Sequence, residues 1–209
     1  MKSIKTLLTI ALLAVSTQAS AYVDILGNYK AYTTIEEVRK VDQTTLKTDL
    51  QKFEYSYSKT IISHSRGKET VYAKELMPSA EAELKELHSK GFTPASLTLG
   101  MLEIGRIKQR CEKSEYQAKC LSKISPVVEG YLIPVANEDE SGQAAALLSG
   151  YYLNTYTDKG REKNYEWSRI GKEKMVAYRK EWSKTGERPK PTFLKTDEEK
   201  EQEKSFFSW

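Results

Sequence analysis

Ser89-Lys-Gly-Phe-Thr-Pro-Ala-Ser-Leu-Thr-Leu-Gly-Met-Leu-Glu-Ile-Gly105 decides the fold of this 209-residue chain. Gly91 is placed to end one helix, and Pro94 fits the first turn of the next. Ala95, Leu97, Leu99, Met101, Leu102 and Ile104 then fill that helix with apolar side chains, and Gly100 sits among them. A glycine inside a helix costs about 1 kcal/mol relative to alanine, so it suggests a place where a neighbouring helix comes too close for a side chain. Gly142–Asn154 repeats the theme with Ala144, Ala145, Ala146 and a mid-helix Gly150. With Pro94–Gly105 laid over Ala144–Thr155, Ala95 falls on Ala145, Leu97 on Leu147 and Gly100 on Gly150. Downstream, Cys120 falls on Trp167. Gly100 and Gly150 are therefore expected as helix-crossing glycines in stacked helix hairpins.

Outward from this stretch the helical pattern continues on both sides. Leu46, Leu50, Phe53 and Tyr57 lie on one helical face. Ser63–Thr70 reads as a polar turn around Gly67, and Val71–Met77 as a short helix or an extended piece. A helix is expected to open at Pro78 and close at Gly91, and another to end near Gly105. A further one is expected from about Ser114 to Ile124. Val127, Val128, Tyr131, Leu132 and Ile133 form an apolar patch between Pro126 and Pro134. Residues 162–184, with Trp167, Ile170, Met175, Tyr178 and Trp182 at helical spacings, make the strongest helix, and Gly186 with Pro189 and Pro191 ends it.

The first 21 residues have the pattern of a secretory signal peptide: Lys2 and Lys5, a short apolar run from Leu7 to Val15, then Ala19-Ser20-Ala21. Cleavage is expected after Ala21, which places the working protein in the periplasm or outside the cell. The alternative is a membrane anchor, but the run is shorter than the roughly 20 residues a bilayer requires. The formal charge of +4 falls to +2 once Lys2 and Lys5 leave. Such a balanced chain lacks the one-signed composition of a nucleic-acid binder.

The chain has two cysteines, Cys111 and Cys120. In an exported protein they favour one disulfide, whose short loop is worth about 2–3 kcal/mol. His64 and His88 lack ligand spacing to either, so no metal and no cofactor is expected.

These residues resemble the Sel1-like repeat family, a branch of the tetratricopeptide-like superfamily. The resemblance is carried by Gly91, Ala95, Leu99-Gly100, Gly105, Tyr116, Ala118 and Cys120 in one unit. In the other it is carried by Ala144–Ala146, Leu148, Gly150, Tyr151, Tyr152, Asp158, Lys159, Tyr165 and Trp167. It covers roughly residues 79–185. The second unit departs from the pattern at Ser149, the turn at Cys111 is long and basic, and residues 22–77 do not match. The expected organisation is a signal peptide (1–21), a helical and irregular segment (22–77), helical repeats (78–186) and a charged C-terminal tail (187–209). The fold class is all-α, with stacked antiparallel helix hairpins in an α-solenoid; a generic helical bundle is the plain alternative.

No catalytic set stands out. Ser56-Tyr-Ser-Lys59, Ser65-Arg-Gly-Lys68 and Lys184-Thr185-Gly186 match fragments of the penicillin-interacting serine enzymes, but the Ser-Asp-Asn element is absent. The expected function is protein binding, with Tyr151, Tyr152, Tyr156, Trp167 and Trp209 as candidate partner contacts. Phe206-Phe207-Ser208-Trp209 either folds back on the helices or inserts into a partner. The family resemblance implies a narrower role, an immunity protein that neutralises a lipase-type antibacterial toxin. An envelope assembly factor and a hydrolase acting on penicillin or peptidoglycan fragments are the alternatives.

Overall fold

The computed structural model describes residues 32–65, 71–187 and 189, and among them it is all helix and turn with no strand. The signal-peptide region, the turn at Gly67, Lys68 and the tail with Trp209 lie outside the described residues. Eight α-helices follow in order: α1 Ile35–Arg39, α2 Asp49–Ser65, α3 Val71–Ser89, α4 Thr93–Glu112, α5 Gln117–Leu121, α6 Pro126–Glu138, α7 Gln143–Leu153 and α8 Asp158–Thr185. A single 3-10 turn, Gln43–Thr45, links α1 to α2.

The ends of these helices follow from local chemistry. Thr34 and Glu37 form a reciprocal capping box at the start of α1. Gly91 closes α3 at φ +79°, with the Phe92 amide donating to the Leu87 carbonyl and the Gly91 amide to the His88 carbonyl. This left-handed turn is one that glycine adopts without steric cost. Ser125 caps α6 ahead of Pro126, and Thr157 caps α8 through the Gly160 amide. Asp139 reaches over the start of α7: one carboxylate oxygen accepts from the Ser141 amide and hydroxyl, the other from the Ala144 amide.

Three boundaries differ from the sequence expectation. Pro78 lies inside α3 rather than at its start. It sits on an exposed face, where water can take up the carbonyl it leaves without a donor. Gly105 does not end α4, which runs on to Glu112. Residues 117–121 alone form α5, a five-residue helix with mostly exposed side chains, so the partner of α4 is α6 rather than the Cys120 segment. Cys120 and Trp167 are consequently not equivalent positions, because Trp167 is buried in the 28-residue α8.

Successive long helices pack on one another: α2 on α3, α3 on α4, α4 on α6 past the short α5, α6 on α7 and α7 on α8. One continuous core runs through them from Phe53 and Leu84 to Tyr152 and Trp167, by way of Ala95, Leu132 and Leu148. A smaller cluster of Ile35, Val38, Tyr55, Ile62 and Leu76 seals the α1 end. The first eight residues of α4, Thr93–Gly100, are all buried. Gly100 is where α6 crosses α4: a Cβ added there would lie 2.3 Å from Leu132 Cδ2 and 2.5 Å from its Cγ.

Gly150 is not a crossing point. Nothing lies within 4 Å of a Cβ built on it. The close approach of α7 and α8 falls instead at Gly142 and Gly171, where a Cβ on Gly142 would meet the Gly171 carbonyl oxygen at 2.4 Å. In α7 the residue at the matched position faces outward, because α7 is covered by α8 along a different stripe from the one α4 offers to α6.

Candidate partner-binding groove

Helix α7 has two faces with different fates. Ala144, Ala145, Leu148 and Tyr152 point into the core. Gln143, Ala146, Leu147, Gly150, Tyr151 and Asn154, spaced three or four residues apart, instead line a groove between α4 and α8. Ile104 and Lys108 of α4 form one wall and Met175 of α8 the other, around a space of about 400 Å³. From Gln143 to the C-cap Asn154 the stripe runs 11 residue steps, roughly 16 Å at 1.5 Å per residue. Gly150 forms its floor.

The groove is rigidly framed. The Ser125 amide donates to the Tyr151 hydroxyl at 2.6 Å, which fixes the ring as a buried wall. Burial pushes the Tyr151 phenol pKa above its ordinary value. The neighbouring Tyr152 hydroxyl donates to Glu129 Oε1 at 2.6 Å, and Lys163 pairs with the same carboxylate. Burial, then the Glu129 contact, raises the Tyr152 phenol well beyond its ordinary range. For Glu129 burial acts upward, but the hydrogen bonds from Lys163 and Tyr152 outweigh it and hold its pKa below the usual value. On the far side, Lys174 Nζ donates to the carbonyls of Ala136, Asn137 and Asp139 at 2.8–2.9 Å, satisfying the C-terminal end of α6.

The expected contact residues separate accordingly. Tyr152 and Trp167 are core, and Tyr151 exposes only one edge to the groove. None of the three projects from the surface as a free anchor, a correction to the expectation that all were partner contacts. The reason is that Ala144 and Ala145 let α7 sink against its neighbours and draw these rings inside. Tyr156 is 70% exposed, at the α7–α8 turn with φ +54°. Trp209 lies outside the described residues.

On the other side of α4, Cys111 and Cys120 sit at disulfide distance, with S–S 1.97 Å and Cα–Cα 5.4 Å. The loop they close borders a recess of about 670 Å³ with Arg110, Lys119 and Lys123 on its rim beside the exposed Tyr116. Among the described residues none of these three cations has an ion-pair partner.

Two polar constellations elsewhere bear on catalysis. Ser56 and Lys59 of α2 meet Glu83 of α3: Ser56 Oγ is 2.6 Å from Glu83 Oε2, and Lys59 Nζ is 2.6 Å from Glu83 Oε1. Lys59 Nζ also lies 3.4 Å from Ser79 Oγ and 4.0 Å from the Tyr55 ring centroid. Glu83 is thus placed to accept the Ser56 proton. Ser56 is 1% exposed and Lys59 3%, and Ser56 and Glu83 line the bottom of a small recess of about 170 Å³ beside Tyr55 and Leu87. The arrangement ties two helices together. The second constellation, invisible to the sequence reading, joins His88 Nδ1 to Ser96 Oγ at 2.7 Å, with Tyr131 edge-on to the imidazole at 4.9 Å. Its signal was the eight-residue spacing across the Gly91 turn. Ser96 is buried, so this pair also fastens helices, α3 to α4.

Among the described residues no group of three or more His, Cys, Asp or Glu side chains could hold a metal, and no helix is long and apolar enough to cross a membrane. No protein family, curated protein or solved structure matches the chain. The likeness to Sel1-like repeats therefore rests on the residues quoted above.

Proposed function

We propose that this protein is a binding module that holds another protein through the α7 groove, outside the cytoplasm. The observation that carries this reading is the groove that Gln143, Ala146, Leu147, Gly150 and Asn154 line along α7, with the buried Tyr151 as part of its wall. A mostly apolar trough with Lys108 on its wall suits a segment with aromatic or aliphatic side chains and an acidic flank. The Sel1-like resemblance and the signal-peptide pattern extend the proposal to its narrower form, an immunity protein whose partner is a lipase-type toxin of a rival bacterium. In that role the groove would seize a toxin segment and deny the toxin its substrate or the membrane.

The test is comparative capture from envelope extract, and from a strain expressing a lipase-type toxin. Gly150→Leu puts a bulky side chain on the groove lining, starting from a Cβ that meets no atom of a neighbouring helix within 4 Å. The proposal expects a protein retained by the wild type and lost with Gly150→Leu. Equal retention by both, or retention of nothing by either, refutes it. The hydrolase alternative is tested by turnover of a chromogenic β-lactam that Ser56→Ala abolishes.

A further inference from the structure

We infer that the recess beside the Cys111–Cys120 bridge docks the protein on an anionic membrane surface, by taking lipid phosphate headgroups, at a site separate from the α7 groove. Positive charge is concentrated there. From Arg106 to Lys123 the chain has six basic residues and two acidic ones, a surplus of four that equals the formal charge of the whole chain. Arg110, Lys119 and Lys123 line the recess. All three are exposed, and none has an ion-pair partner among the described residues. The acidic side chain of the lining, Glu103, is turned to Arg106 at 3.7 Å, and Glu112 and Glu115 lie outside the lining. The bridge builds this arrangement. Helix α5 buries no side chain of its own, so Cys120 ties it to the buried Cys111 of α4 and holds Tyr116 and Lys119 at the same recess as Arg110.

The hydrogen-bonding groups select a phosphate over a polypeptide. Arg110, Lys119 and Lys123 can only donate. The hydroxyl oxygens of Ser114 and Ser125 already accept from the Tyr116 and Val128 amides, which leaves each hydroxyl its proton to give. With Glu103 engaged by Arg106, the side chains of the lining offer donors and no free carboxylate. An acidic peptide brings backbone amides that need acceptors of their own, whereas a lipid phosphate brings acceptors alone. The lining is completed by Ile107, Ile124 and Pro126, an apolar surface for the glycerol end of a lipid. The volume of about 670 Å³ falls in the range of ligand clefts, about 300–1,000 Å³. Tyr116 in the lining is 68% exposed, and Val127, next to Pro126, is 51% exposed. A ring with one apolar and one wet end suits the layer where headgroups meet acyl chains.

The test is co-sedimentation of the full chain with vesicles of phosphatidylglycerol and phosphatidylcholine in equal parts. Pure phosphatidylcholine vesicles and soluble polyglutamate are the other arms. The quantity read is the excess over pure phosphatidylcholine, because the apolar run from Leu7 to Val15 is common to every variant. Each cation near an anionic surface strengthens partitioning roughly fivefold, so Arg110→Gln/Lys119→Gln/Lys123→Gln should weaken it roughly a hundredfold. The three side chains are exposed, and circular dichroism should show the helices intact. Lys172→Gln/Arg179→Gln/Lys180→Gln removes the same charge from exposed positions of α8 and should keep the binding. Raising sodium chloride from about 0.1 to about 1 M shortens the screening length from about 10 to about 3 Å and should release the protein. No excess on the phosphatidylglycerol vesicles, an excess that survives the recess variant, or an equal loss with the α8 variant each overturns the inference. So does tighter binding to polyglutamate lost in the recess variant, which assigns the recess to an acidic protein segment. No partner protein and no α7 residue enters this test, so its outcome is separate from that of the proposed binding role.

Discussion

Gly100 and Gly150 occupy matched positions in the sequence and opposite positions in the structure, so alanine at each should have opposite effects. At Gly100 the new methyl would lie 2.3 Å from Leu132 Cδ2, and Leu132 is fully buried with nowhere to swing. Overpacking of that kind costs about 1–3 kcal/mol, against about 1 kcal/mol gained in helix propensity. Gly100→Ala is therefore expected to destabilise by up to about 2 kcal/mol. At Gly150 only the propensity term applies, and alanine should stabilise by about 1 kcal/mol. The decisive step is a double-mutant cycle with Leu132→Ala, which alone should cost about 2–5 kcal/mol. With Leu132 shortened the clash is gone, and Gly100→Ala should become stabilising by the propensity amount, a coupling of about 1–3 kcal/mol. Urea denaturation of the four variants followed by circular dichroism measures this. If Gly100→Ala has the same effect in both backgrounds, α4 and α6 do not cross there and the packing reasoning fails.

Other expectations follow from the same coordinates. Loss of the Cys111–Cys120 bridge by Cys→Ala at both positions should lower stability by about 3 kcal/mol, the value for a loop of this size, with fold and helix content retained by circular dichroism. Lys59→Met leaves Glu83 without its cation and should cost about 3 kcal/mol in urea denaturation, the low end for a broken buried pair because Glu83 is partly exposed. Lys59→Met with Glu83→Leu should recover much of that. Glu129 has a folded-state pKa below its unfolded value, so its contribution is present above about pH 4.3 and lost as pH falls through the depressed value; stability measured across pH 2–5 should flatten in Glu129→Gln. Tyr152 shifts the other way: its contribution is complete below about pH 10 and lost as pH rises beyond that. Tyr152→Phe should correspondingly weaken alkaline unfolding.

Much of the helical organisation was legible because it is written in local chemistry. Gly91 and Gly186 stand at helix ends where φ is positive, and Pro94 sits at a first turn where a missing amide is harmless, whereas the helix opening at Pro126 read only as an apolar patch. The pairing of Cys111 with Cys120 was legible from their number and setting. Continuity was harder to read. Pro78 and Gly105 resemble breaks, yet each lies on an exposed face of a helix held by tertiary packing, which overrides a local cost of 1–3 kcal/mol. The role of Gly150 was misread because helical spacing says which residues share a face and not which neighbour covers it. The groove depends on that second fact, as does the burial of Tyr152 and Trp167. The Ser56–Lys59–Glu83 and His88–Ser96 contacts arise between helices, where a single sequence leaves only distant hints.

Hydrogen exchange on the captured complex tests the central claim most directly, namely that the groove-lining face of α7 receives the partner. Binding should slow exchange across Gln143–Asn154 and around Ile104–Lys108, and leave the distant α1 segment as it was. Protection confined to other helices, with α7 unchanged, would contradict it.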